Sequence, residues 1–248
     1  MSGHSKWASI KHKKAAADSK RGKVFTKVIK EITVAAKNGG GDIATNPRLR
    51  TAIQAAKDAN MPADNIDRAI KKGTGELEGV TYEELTYEGY GTEGAAILVA
   101  CLTDNKNRTA AEIRSIFTKA NGSMAGPGSV AWLFEKKGLI VISKSAANED
   151  QLMEVAVGAG AEDLNQANDS FEIVTSFHDY ETVRAAIEKA GIKMESAQLT
   201  MLPKNVTPLT SDGARSVIKL IEILEDHDDV QQVYMNGDIP EEILKEMS

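Results

Sequence analysis

Lysine dominates the first 27 residues of this chain: Lys6, Lys11, Lys13, Lys14, Lys20, Lys23 and Lys27, joined by Arg21, stand against a single acid, Asp18. Cations at this density neutralise the phosphates of a polyanion and release its condensed counterions, which gives affinity without reading sequence. Trp7 and His12 lie among them, and an indole beside cations is a stacking platform for an unpaired base. Arg48 and Arg50 open a predicted helix, the position from which helix-turn-helix proteins reach base edges. A lysine-rich helix face is most often just a solvated one. Here the cations are concentrated rather than interspersed with acids, so these residues are the candidate nucleic-acid contacts.

Other chemistry is harder to assemble. His4, His12, His178 and His227 are scattered, with neither metal-ligand spacing nor a nucleophile signature, so no catalytic residue, cofactor or small-molecule substrate is expected. Gly39 to Gly41 follow a helical pattern rather than a strand, which makes them a hinge and not a phosphate loop. A single cysteine, Cys101, excludes an internal disulfide and a cysteine-built zinc site, and its apolar surroundings predict a buried thiol. The cluster Asp226, His227, Asp228 and Asp229 is the one tempting set, because carboxylates beside an imidazole can hold a divalent ion. Its glycine-free spacing does not fit a calcium loop, and acids at a helix C-terminus oppose the dipole. A solvated turn or a protein contact is the expectation, with no bound metal.

The charge is split along the chain. Residues 1–75 hold 16 Lys and Arg against 6 Asp and Glu; the remainder holds 14 against 30, within a net charge of −6. That asymmetry suggests a nucleic-acid-binding module joined to an acidic body, which phosphate would repel and so orient. At 248 residues and 42% hydrophobic content the chain can bury more than one core. No stretch reaches the length of a membrane span, and the charged start lacks the apolar run of a secretory signal. The lysine-rich arm imitates a transit peptide, but those favour arginine, so a cytoplasmic location is expected.

The elements that must position these residues follow from periodicity. Val24, Phe25, Val28, Ile29, Ile32, Ala35 and Ala36 recur at helical spacing between Asp18 and Lys37, with Lys20, Lys23, Lys27 and Lys30 on another face. Asn46 and Pro47 are an N-cap and first helical residue, with Leu49, Ile53 and Ala56 on the buried side. A third helix follows Pro62, buries Ile66, Ala69 and Ile70, and is predicted to stop at Gly73. Residues 73–84 read as linker. Beyond them come two strands joined by a turn at Gly91 to Gly94, a helix carrying Ile113, Ile116 and Phe117, and a strand over residues 129–138. Residues 138–203 repeat β-α-β-β-α-β, the order of a ferredoxin-like unit, and a final helix and strand follow. The fold class is therefore α+β in three domains: a basic helical domain at 1–75, a middle domain at 80–137 plus 204–248, and a ferredoxin-like domain at 138–203 inserted in it.

Several long segments carry a resemblance. "GHSKWASIKHKKAAADSKRGKVFTK", "NPRLRTAIQAAKDANMP", "YEGYGTEGAAILVACLTDNKNRTAAEIR", "GSVAWLFEKKG" and "LEDHDDVQQVYMN" are similar, in order and over essentially the whole chain, to the YebC family. The resemblance implies the same three-domain α+β architecture. It also implies either a DNA-binding transcriptional regulator, as bacterial members are commonly described, or a ribosome-associated translational activator, which mitochondrial relatives resemble. Ribosomal RNA is the preferred partner on physical grounds, because lysine faces dock on folded RNA by shape and phosphate contact without a recognition helix. DNA is the alternative, and a protein-interaction scaffold a further one. The loops at Asn105 to Arg108 and Gly126 to Gly128 are read either as a second contact surface or as a helix cap and a tight turn.

Overall fold

The computed structural model describes residues 21–166 and 169–246. Three helices come first: α1 (Arg21–Gly39), α2 (Pro47–Asp58) and α3 (Ala63–Thr74). Their apolar stripes meet in one core built from Ile32, Ala36, Leu49, Ile53, Ala56 and Ile66. Asn46 joins two of them. Its Oδ1 accepts from the Leu49 N–H at 3.0 Å, capping α2, while its Nδ2 donates to the carbonyls of Ala35 and Gly40 at 2.8 Å each, closing the end of α1. One buried amide thus satisfies orphan groups at two helix ends. The third helix runs one residue past its predicted stop, and Gly75, at φ +84°, is the left-handed cap. Gly73 serves a different purpose: a Cβ there would lie 2.4 Å from the Thr33 carbonyl, so its absence lets α3 touch α1.

The middle unit contains β1 (Glu83–Tyr90), β2 (Ala96–Thr103), α4 (Lys106–Lys119) and β3 (Ser123–Ala125). After a long excursion the chain returns through β8 (Thr207–Pro208), α7 (Ser211–Asp226), β9 (Val230–Met235), β10 (Gly237–Asp238) and α8 (Glu241–Glu246). The sheet order is β3-β1-β2-β9, all antiparallel. Ile113 and Phe117 of α4 and Val217, Leu220, Ile221 and Leu224 of α7 pack on the Ile97, Val99 and Cys101 face of β2. Ala96 and Leu98, on the opposite face, meet Val130 and Phe134, with Met201 and Tyr234 beside them. Covered on both sides, β2 reads as a continuous apolar run. Cys101 is 2% exposed, and burial pushes its thiol up to about 12, which leaves it inert.

The excursion is the ferredoxin-like unit: β4 (Phe134–Ser143), α5 (Glu149–Leu152) continued by a π turn over Met153–Val157, β5 (Ala161–Gln166), β6 (Ser170–Ser176), α6 (Tyr180–Lys189) and β7 (Ser196–Pro203). Its strands order β5-β6-β4-β7, and both helices cover the face carrying Ile140, Ile142, Phe171 and Ile173. One expectation fails here. The strand predicted from residue 129 begins only at Phe134, because Ala131–Leu133 form a 3-10 turn, and from Phe134 it runs unbroken into the next predicted strand. The short strands β3, β8 and β10 and the helix α8 were not foreseen, being too brief for periodicity to mark.

Candidate nucleic-acid interface and its acidic anchor

The predicted contacts Lys6, Trp7, Lys11, His12, Lys13, Lys14 and Lys20 lie outside the described residues, and Arg21 is described only as the backbone start of α1. The remaining cations of the stripe have partners within the chain. Lys23 Nζ donates to the Asp226 carbonyl at 3.0 Å and pairs with its Oδ1 at 2.6 Å. Lys27 Nζ donates to the Glu225 carbonyl at 2.6 Å. Lys30 Nζ donates to the Asp228 carbonyl at 3.0 Å and to Asp229 Oδ1 at 2.5 Å. The spacing i, i+4, i+7 is that of one helix face, and the face is aimed at the C-terminus of α7.

That terminus needs cations. The last carbonyls of a helix have no partner within it and carry partial negative charge. The last turn of α7 has no basic residue and adds Glu225 and Asp226 to the negative end. Lys23 and Lys27 of α1 supply what α7 lacks, and Lys30 serves the turn that follows it. Burial lowers the pKa of Lys27, an effect opposed by Glu225, Asp228 and Asp226 around it.

Asp229 is the centre of the anchor, at 3% exposure. Besides Lys30, its carboxylate accepts from Arg108 Nη2 at 2.8 Å, Thr109 Oγ1 at 2.7 Å and Thr103 Oγ1 at 3.1 Å. Burial alone would raise this carboxyl; the donors Lys30, Arg108 and Thr109 outweigh it and hold it well below the usual carboxylate range. His227 completes the turn: its Nδ1 accepts from the Asp229 N–H at 3.1 Å, so its Nε2–H is the donor to Glu112 Oε2, 2.8 Å away. Glu112, His227 and Asp229 bring one potential ligand atom each within 4.8 Å of one another. Two cations already bind Asp229 and a backbone N–H holds His227 Nδ1, which sets this donor set against a metal ion.

The arginines are also engaged. Arg48 forks onto Glu31, Nε to Oε1 at 2.7 Å and Nη2 to Oε2 at 3.1 Å, and its Nη1 reaches Glu84 Oε1 on β1 at 2.6 Å. The bond to Glu31, opposed by partial burial and helped by Glu84, raises its pKa further. Arg50 stays exposed, its Nη1 donating to the Ile43 carbonyl at 2.8 Å. Of the two loops read as possible second contacts, Asn105 caps α4 by accepting from the Arg108 N–H at 3.1 Å. The turn at Gly126 to Gly128 is tied down by Glu88 of β1, whose carboxylate accepts from the backbone N–H groups of Gly128, Val130 and Ala131 at 2.6, 2.6 and 2.8 Å. Sequence reasoning missed Lys30, Thr103, Thr109 and Asp229 as one cluster. The only signal for it was the otherwise unfavourable acids at the end of α7.

Fold and site together define an α+β protein in which a basic helical module is clamped onto the acidic end of a body that carries an inserted ferredoxin-like unit. Residues 5–76 match the family model described as the TACO1/YebC protein N-terminal domain, and residues 82–237 match that of the TACO1/YebC second and third domain. The chain belongs to the TACO1/YebC family. It is 60% identical to a probable transcriptional regulatory protein of Desulforapulum autotrophicum and 56% identical to one of Dictyoglomus turgidum, over 100% of each chain in both comparisons. A crystal structure of a conserved hypothetical protein from Aquifex aeolicus is similar at a TM-score of 0.81 and 47% identity, covering 92% of this chain and 94% of that one. Among the described residues no helix is long and apolar enough to cross a membrane.

Proposed function

We propose that this protein is a non-enzymatic, cytoplasmic regulator of gene expression that binds nucleic acid through its basic N-terminal domain, and that its target is RNA on the ribosome, where it activates translation. The observation that carries the reading is the charge split: an excess of lysine confined to residues 1–75, on a chain whose remainder is strongly acidic. Lys6, Trp7, Lys11, His12, Lys13, Lys14, Lys20 and Arg21 make the grip, and Arg50, which is exposed, adds to it. Lys23, Lys27 and Arg48 already hold intramolecular partners and contribute to phosphate only by exchanging them. RNA is favoured over DNA because the helical module offers backbone-binding cations rather than a set of base-reading side chains: Arg48, the best-placed candidate, is spent on Glu31 and Glu84.

The second reading, a DNA-binding transcriptional regulator, is supported by the names of the relatives. Crosslinking in cells followed by sequencing of all attached nucleic acid separates the two. The comparison is a variant with Lys11, Lys13, Lys14 and Lys20 changed to Glu, which leaves the Lys23, Lys27 and Lys30 contacts in place. Ribosomal RNA enriched at discrete positions and lost in the variant is the expected result. Promoter DNA enriched over a background of ribosomal RNA gives the second reading, and neither nucleic acid above background overturns both.

A further inference from the structure

Trp132 is 63% exposed, more than any other large apolar side chain among the described residues, and yet it is held firmly. Its Nε1–H donates to the Ser129 carbonyl at 3.1 Å, and the hydroxyl of Tyr90, itself 36% exposed, donates to the same oxygen at 3.2 Å. The backbone beneath them is fixed by the three N–H groups that Glu88 accepts, so the loop is set before any partner arrives. Burial alone would raise the Glu88 carboxyl, but these backbone donors hold it below its ordinary value.

Two features say what the indole is for. A buried or interface tryptophan ordinarily offers its N–H to the partner. Here the polar atoms of both aromatics are already committed within the chain, so what remains on offer is ring surface. The preceding residues, Gly126, Pro127, Gly128 and Ser129, place little side chain around it, and a Cβ at Gly126 or Gly128 would meet no atom within 4 Å. Both glycines are open where a side chain would stand, unlike the ring of water-excluding contacts that encloses a protein hot spot. The backbone N–H of Lys204 donates to the Leu133 carbonyl at 2.8 Å, which anchors the main chain of an exposed lysine beside the residue after Trp132.

We infer that Trp132, steadied by Tyr90 and the Glu88-pinned turn, is a stacking platform for an unpaired base of single-stranded RNA, with Lys204 meeting the adjoining phosphate. The inference rests on the nucleic-acid reading above and adds a contact on the middle unit, remote in sequence from the basic arm. Base–aromatic stacking is tolerant of sequence and needs an unpaired base, whereas the lysines of the arm accept folded RNA as well.

The chain has two tryptophans, so a Trp7→Phe protein leaves Trp132 as the sole indole reporter. Its emission is followed during titration with 12-nucleotide oligouridylate and oligoadenylate, while anisotropy of the same oligomers carrying a dye reports binding independently. Quenching that tracks the anisotropy is expected. In the same background Trp132→Ala should weaken binding by roughly 5- to 100-fold, with Trp132→Tyr restoring most of it. An unchanged melting temperature of the alanine variant shows that the exposed site was altered without loss of the fold. If anisotropy rises while Trp132 emission and the Trp132→Ala affinity stay unmoved, stacking at this loop is overturned and binding by the basic arm stands. No anisotropy change with either oligomer overturns both. Quenching by a proline-rich peptide but by neither oligomer makes the loop a protein-docking site and overturns the inference.

Discussion

Asp229 shows how much one carboxylate can be asked to do. It is buried, it faces Lys30 from one helix and Arg108 from another, and its two threonine donors leave little lone-pair capacity unused. Removing one partner of such a cluster strands buried charge, so Asp229→Asn, which keeps the shape and loses the charge, should destabilise the protein by about 3–5 kcal/mol in urea unfolding. The exposed pair Lys23 with Asp226 lies at the other extreme, and Asp226→Asn should cost less than about 1 kcal/mol in the same assay. The pH dependence has a definite sign. Asp229 and Glu88 both have folded pKa values held below their ordinary ones. Their contribution is therefore complete above the unfolded carboxylate pKa of about 4 and drains away as the pH falls below it. Melting temperatures measured from pH 7 down to pH 3 should fall in the acid range, and should fall less steeply in Asp229→Asn and in Glu88→Gln, each of which removes one of the two titrating groups.

At the scale of elements, what could be read from the sequence was what is local. Asn46 followed by Pro47 marks a helix start because cap and first turn are chemically defined within four residues, and the ferredoxin-like order follows from the alternation of strand and helix periods. The anchor was not legible in the same way, since Lys30 and Asp229 are 199 residues apart and no periodicity connects them. The lysine stripe on α1 reads as a phosphate-binding face because nothing local distinguishes a cation meant for a ligand from one meant for a distant helix end. Gly73 was misread for a similar reason. In a sequence a glycine near a helix end looks like a stop, whereas here it is the point of contact between α3 and α1. Gly73→Ala should force that contact apart and lower stability by about 1–3 kcal/mol, measured by thermal melting. Gly22→Ala, on the exposed side of α1 where a Cβ meets nothing, should leave stability unchanged or slightly raised.

For the whole molecule, the anchor decides where the basic module points. Among the described residues two sets of polar contacts hold the three helices to the body: the lysines of α1 on the end of α7 and the turn after it, and Arg48 of α2 with Asn38 of α1 on Glu84 of β1. Neither is a broad apolar interface of the kind that makes a domain junction immovable. Cutting one arm of each set, with Lys30→Met and Arg48→Met together, should therefore free the module while leaving each core folded. Arg108 still neutralises Asp229 after the change, and the helical core of Ile32, Leu49 and Ile53 is untouched. A compact chain of 248 residues has a radius of gyration of about 18 Å. Small-angle scattering should show the double variant larger than the parent, with unchanged helical circular dichroism. Scattering identical to the parent would mean that the remaining Lys23, Lys27 and Asn38 contacts suffice to hold the module, and further changes at Lys27 and Asn38 would then be needed to release it. If RNA affinity resides in the arm and productive docking requires its fixed orientation, the released variant should bind isolated RNA as tightly as the parent and still fail to activate translation. That pairing, affinity kept and activity lost, is what a rigid anchor predicts and a passive tether does not.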